Sequence, residues 1–451
     1  MGSLDIKWIR SQFPALRQSI NGHPAIFFDG PGGTQVPGAV LDGMSNYLVR
    51  SNANAHGDFA TSARTDAVIN SARAASADFL GCDNDEVVFG ANMTTLTFSV
   101  SRAIGRELQP GDQIIVTKLD HAANISPWSA LEEKGVNIQV VDINVADCTL
   151  DLNDLAAKIN SRTKLVAVTY ASNAVGTIND IAKIVKLAHA VGALVFVDAV
   201  HYSPHAPINV HHLDCDFLVC SAYKFFAPHV GILYGKREHL TRLTPYKVKP
   251  GSNEVPFKWE TGTLNHEGLA GLVATINYLA KLGCHVSPTL DNELLDSLIQ
   301  ADREGLTTFH CPSFVTAPEQ PSHELASAYH SRRAALLAAM SAIQEYEREL
   351  SKKLISGLLE IPGVTVYGIT EPSQFIWRTP TVSITIEGKN SADVAKFLGT
   401  KGIFTWHGHF YAIELTEELG VETCGGLLRI GLAHYNNVEE INQYLSVLLE
   451  V

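Results

Sequence analysis

The chain reads as an α/β protein with a mostly parallel sheet in a large domain, followed by a smaller α+β C-terminal domain. Three observations predict this. Short apolar runs alternate with helical patterns through the middle of the sequence. Several of those runs are continuous Val, Ile, Leu and Phe, as strands buried on both faces require. The 451 residues, 46% hydrophobic and 18% charged, exceed one compact domain and supply a sizeable core.

Taken in order, residues 1–24 form an N-terminal segment and residues 25–283 the large domain. Strands are expected at Val87–Gly90, Gln113–Thr117, Ile138–Val141, Leu165–Tyr170, Ala193–Val197, Phe217–Cys220 and Gly231–Tyr234, with a helix at Asp180–Ala190 between two of them. Residues 284–325 are polar, Pro-containing and without a clear period, and are assigned to an insertion or lid. Residues 326–451 make the small domain. A long helical stretch, roughly Leu325–Leu359, leads into it. Strand-like pieces follow at Val364–Tyr367 and Thr381–Ile386, then helices near Ala392–Leu398 and Val438–Leu449.

Composition excludes several classes of function. A net charge of −13 argues against nucleic acid and anionic membranes as partners, so any anion must be held by a few placed donors. The seven cysteines are scattered, without a CxxC pair, and point to neither a zinc site nor a disulfide framework. The N-terminus lacks an apolar signal-like core, and Ile6 breaks the myristoylation pattern. No apolar run is read as long enough to span a bilayer. A cytoplasmic protein without a metal is the expectation.

The chemistry centres on Asp198 and Lys224. Asp198 closes the run ALVFVDAV and Lys224 follows DFLVCSAYK, so both lie at carboxyl ends of buried strands, where open α/β sheets bind ligands. A lysine amine there can form a Schiff base, and an aspartate can keep a pyridinium nitrogen protonated. Together they are the minimum set for pyridoxal 5′-phosphate (PLP). In isolation the ordinary readings, a helix cap for the aspartate and a solvated charge for the lysine, are favoured. Ser221 and Tyr223 flank Lys224 and could donate to a phosphate. Thr94 and Thr95 open a helical pattern after a strand, which makes either an anion site or an ordinary N-cap. His121 follows another strand run and is either a ring that stacks on a flat cofactor or a core histidine. Asn173 could reach a ring oxygen, or serve only as a turn residue.

In order along the chain, the segments FFDGPGG, FGANMTT, LDHAANISPW, ASNAVGTIND, VDAVHYSPHAPINVHHLDCDFLVCSAYK, GILYGK and WETGT resemble the landmarks of class V aminotransferase-fold PLP enzymes. The resemblance runs from about residue 25 to 282 and again from about 395 to 440, and is nearest to the cysteine desulfurase and isopenicillin N epimerase branch. It implies fold type I, the aspartate aminotransferase-like fold, and a homodimer with shared sites. Lys224 is then the Schiff-base lysine, Asp198 the partner of the pyridine nitrogen and His121 the stacking ring. Asn173 and His201 lie near the ring's O3′ oxygen, although His201 stands where the family commonly has Gln. Thr94, Thr95, Ser221 and Tyr223 are assigned to the cofactor, with Tyr223 in place of a desulfurase His. Thr263 corresponds to the threonine that reaches the neighbouring subunit's phosphate. The resemblance places Arg429 on a substrate carboxylate, which its forked guanidinium suits. Asn173, His56, Trp406 and Tyr411 complete the expected substrate contacts.

One departure bears on the reaction. Desulfurases carry R-x-G-H-H-C-A, whose cysteine attacks sulfur. Here the segment is GIFTWHGHFYA, with Trp406 for the arginine, Phe410 for the second histidine and Tyr411 for the cysteine. A tyrosine hydroxyl forms no persulfide, so sulfur mobilisation is rejected. The aromatic loop either walls an apolar substrate pocket or fills the space of the lost cysteine loop. The expectation is an enzyme that forms a quinonoid carbanion at the α-carbon of an amino acid. A lyase or carbon–carbon-forming, Mannich-type cyclase of secondary metabolism ranks first, then an epimerase of isopenicillin N type, then an aminotransferase. A PLP-binding module without turnover is the alternative of another class. A nicotinamide dehydrogenase is disfavoured, because no GxGxxG opens the first strand–helix unit.

Overall fold

The computed structural model describes residues 4–287 and 323–451, with side chains of the second stretch from Arg332 onward. Most of the expected insertion, residues 288–322, lies outside the described residues.

The helices that shape the molecule are α1 (Ile6–Gln12), α2 (Gly38–Arg50), α3 (Ala60–Leu80), α4 (Met93–Ile104), α5 (Ile181–His189), α6 (His266–Val286), α7 (His323–Leu359), α8 (Ser391–Thr400) and α9 (Val438–Leu448). The strands are β1 (Ile26–Phe27), β2 (Val87–Gly90), β3 (Gln113–Thr117), β4 (Asn137–Val141), β5 (Thr163–Thr169), β6 (Leu194–Asp198), β7 (Phe217–Ser221), β8 (Gly231–Gly235), β9 (Val364–Tyr367), β10 (Thr381–Ile386), β11 (Ile403–Phe404), β12 (Trp406–Gly408) and β13 (Leu427–Gly431).

The main sheet runs β2-β8-β7-β6-β5-β3-β4 and is parallel except for β8, which lies antiparallel to both neighbours. All seven strands stand where the apolar runs predict them, within a residue or two at each end. Side chains alternate between two buried clusters. Ile114, Leu165, Phe196, Phe217 and Leu233 enter one, and Ile115, Val166, Val195, Leu218 and Ile232 the other. Two dry faces are why these strands read as unbroken apolar runs.

The C-terminal unit is a smaller sheet, β9-β10-β13-β12, with a separate core of Leu350, Leu354, Ile384, Leu428, Ile430 and Tyr444. Three expectations need correction here. Residue 25 was expected to open the large domain. Instead β1 pairs in parallel with β11, and Ile26 and Phe28 lie in the C-terminal core, where a Phe-rich segment finds its apolar partners. The boundary at residue 326 falls inside α7, which contributes Leu336, Ala339 and Ile343 to the large core and Leu350, Leu354 and Leu358 to the small one. Finally, α6 is long and apolar enough to cross a bilayer by length and composition. It is 89% buried within the protein and is a core helix beneath α2, α3 and α7.

Candidate active site

The carboxyl ends of β6 and β7 form the floor of the site. Asp198 is the last residue of β6 and is buried, with Oδ1 accepting a hydrogen bond from Val200 N at 2.9 Å. Burial raises its pKa to about 6, against the lowering effects of that bond and of the Lys224 charge. Lys224 ends the 3-10 turn that follows β7. Its Nζ donates to Pro31 O and lies 4.7 Å from the centre of the Tyr223 ring. Burial foremost, then the Arg429 charge, lowers its pKa to about 7, while Asp198 opposes the shift. At neutral pH about half of such a lysine is uncharged, the form a nucleophilic amine needs.

Helix α4 points its N-terminus at the same place. Asn92, not Thr94 or Thr95, is its cap, with Oδ1 accepting from Thr95 N at 3.0 Å. Ser221 Oγ accepts from Met93 N at 2.9 Å and ties the helix to the end of β7. This closeness needs Gly231, because a Cβ there would lie 2.6 Å from the backbone of Asn92. Thr94 and Thr95 are exposed on the first turn, where an anion would sit. Tyr223 is half-buried and stacks on His229 at 4.8 Å, and burial raises its pKa.

His121 begins the turn after β3. Its Nδ1 accepts from Ala123 N at 3.0 Å, and Asp120 anchors the turn by accepting from Asn124 Nδ2 at 2.8 Å. Burial, then the Lys224 and Arg429 charges, lowers the His121 pKa to about 4, so the ring is neutral near pH 7. His201 is buried, with Nε2 3.3 Å from Thr379 Oγ1, and burial also holds it neutral. The Lys224 and Arg429 charges act on both rings, which places them around one centre.

The roof comes from the C-terminal unit. Arg429 on β13 is 4% exposed. One guanidinium nitrogen donates to Asn173 O at 2.9 Å, its Nε has no partner, and its Cζ lies 4.0 Å from the centre of the Phe410 ring. Tyr411 stacks on His121 with centroids 5.2 Å apart. Phe410 and Tyr411 both have left-handed backbones, φ +53° and +59°. Neither is glycine, so each conformation costs of order 1–3 kcal/mol and persists only where neighbours enforce it. Here Asn173 Nδ2 donates to Phe410 O at 2.9 Å, and Ala122 N donates to Tyr411 O at 2.7 Å. Trp406 is half-exposed and covers Gly32, where a Cβ would fall 2.2 Å from its Nε1.

Two expected residues are not brought into this cluster. The His56 side chain is exposed and paired with Asp66 at 3.0 Å. Thr263 is exposed as well. The sequence reading passed over Asp29, in FFDGPGG. Its Oδ1 is buried without a partner, and burial raises its pKa to about 6 beside Arg429. It also missed the buried pair His205–Glu347, 2.8 Å apart, whose histidine ring lies 5.3 Å from that of His201. An aspartate breaking an apolar run was the available signal for Asp29; the spacing of 142 residues left none for the pair.

A fold type I sheet with a lysine, an aspartate and a helix N-terminus at one edge defines a PLP-dependent protein. The chain belongs to the class-V aminotransferase family, whose model matches residues 26–324 and 322–444. It is 32% identical to the aminotransferase-like protein FGM3 of Gibberella zeae, over 99% of this chain and 98% of that one. It is 29% identical to a cysteine desulfurase of Pectobacterium atrosepticum, over 100% and 98%. The apo cysteine desulfurase of Thermococcus onnurineus superposes with a TM-score of 0.80 at 26% identity, covering 100% of this chain and 99% of that one. The cofactor is PLP, and the residues fit it. A buried amine about half uncharged at pH 7 acts electrostatically on a buried carboxylate hydrogen-bonded to Val200 N and on a neutral ring, and exposed hydroxyls stand on the first turn of α4.

Proposed function

We propose that this protein breaks a bond at the α-carbon of an amino acid and ends in elimination or Mannich-type carbon–carbon bond formation, within secondary metabolism, rather than in sulfur transfer. The observation that carries this is the strap 406–411. The floor keeps Lys224 and Asp198, yet the desulfurase thiol position holds Tyr411, stacked on His121 and held by a backbone hydrogen bond. Tyr411 is 63% exposed, yet it is held in a costly conformation against a site ring, which supports its reading as a pocket wall.

PLP, when bound, supplies a covalent handle and a sink for the electrons of the broken bond. Lys224 would hold it, and its amine would take up or return the α-proton; a pKa of about 7 suits that exchange. Asp198 keeps the pyridine nitrogen protonated. His121 would face the ring, Asn173 and His201 would serve its oxygen, and Thr94, Thr95, Ser221 and Tyr223 would hold the phosphate. Arg429 grips the substrate carboxylate, which its unpartnered Nε supports. Trp406 and Tyr411 line the side-chain pocket. Thr263 and His56, exposed in the single chain, serve a site completed in a homodimer.

The test is the visible spectrum of the purified holoenzyme, followed by titration with a panel of amino acids, N-substituted α,γ-diamino acids included, and product masses. A band lost in Lys224→Ala and a product of altered mass are expected. An unchanged mass with inverted configuration would mean an epimerase. Conversion of cysteine to alanine with its sulfur passed to a thiol acceptor, or no band after PLP is added, would overturn the reading.

A further inference from the structure

Three contacts close a ring around the buried arginine. Arg429 donates to Asn173 O at 2.9 Å, Asn173 Nδ2 donates to Phe410 O at 2.9 Å, and the Phe410 ring returns to lie over the Arg429 guanidinium at 4.0 Å. The face of the guanidinium is thereby covered, while its edge keeps Nε without a partner. A carboxylate approaches a guanidinium in its plane, so a ring on the face leaves that approach open and removes water from the other side. Phe410 adopts φ +53° to do this. Its sequence position offers histidine in the desulfurase pattern, whose ring is a poorer cover for a cation and a competing charge when protonated.

We propose that Phe410 is a positioning residue that presents the edge of Arg429 to the substrate carboxylate, so that the strap selects α-amino acids over amines. Asn173 is its second support, because its backbone carbonyl accepts from the arginine while its side-chain amide donates to the strap. The proposal rests on the reading of Arg429 as the carboxylate clamp and deepens it.

The experiment titrates the visible band of the holoenzyme with L-leucine and with 3-methylbutylamine, the same side chain without the carboxylate, and takes the ratio of the two dissociation constants. The wild type should prefer leucine, and Arg429→Leu should lose that preference. Phe410→Asn, which tolerates the left-handed backbone but lacks the ring, should lower the ratio about tenfold, as expected for a desolvated cation–π contact. Phe410→Tyr should restore it. Melting curves of both variants show that each is folded. If Phe410→Asn is folded and keeps the wild-type ratio, the positioning role is wrong while the Arg429 clamp stands. If the wild type itself responds to neither compound, or to both equally, the clamp reading fails and takes the positioning role with it.

Discussion

The floor and the roof of the site are made differently. The floor is Asp198, the last residue of β6, and Lys224, at the end of the turn after β7, both carried by strands with two dry faces. The roof, Trp406–Tyr411, begins as the short strand β12 of the small sheet, and its last two residues are held by hydrogen bonds from Asn173 and Ala122 against their own conformational preference. Regular structure thus carries the groups proposed to hold the cofactor. The irregular strap carries what differs from the desulfurase pattern, as expected when function is set by loops on a rigid scaffold.

If that division holds, changes to the floor abolish chemistry for every amino acid, and changes to the roof alter which amino acid is used. The largest effect is expected for Asp198→Asn. It should keep PLP bound but lower kcat/KM by about 10³-fold for all substrates, since the charge that stabilises the electron sink is lost. Steady-state kinetics on two unrelated substrates would check this, and a loss confined to one of them would blur the division.

The next effect is one of stability. Lys224 has a pKa of about 7 in the folded chain against an ordinary 10.5, so the unfolded chain binds more protons between those values. The stability of the apoprotein should therefore rise with pH across that window. Lys224→Met should stabilise the apoprotein by ~5 kcal/mol at pH 6, with the gain fading toward pH 10. Urea unfolding at the two pH values measures it; an equal gain at both would show that the lysine is not held uncharged.

The smallest effect is expected in the roof. Asparagine accepts a left-handed backbone more readily than tyrosine. Tyr411→Asn should thus change stability by no more than about 1 kcal/mol while narrowing the preference between large and small amino acids. Product analysis over the panel would show it, and a variant with wild-type preferences would make Tyr411 filler.

How much of this was legible in the chain follows the same line. The seven sheet strands, the α5 helix, β9, β10 and α9 were each readable because their apolar period is local. The strand-end positions of Asp198, Lys224 and His121 followed directly. Strand β13, short and with Arg429 at its centre, had no such signal, and neither did β1, two residues whose partner strand lies at Ile403–Phe404.

The sequence by itself determined the sheet, the cofactor chemistry and the absence of a cysteine from the strap, because each is written in a contiguous segment. Only the tertiary structure decided that Phe410 covers Arg429, that Tyr411 covers His121 and that Asn173 binds both arginine and strap. The physical reason is distance along the chain: Asn173 and Arg429 are 256 residues apart, and Phe410 and Tyr411 adopt backbones that no local preference favours. Such contacts exist only once the two cores have closed on each other.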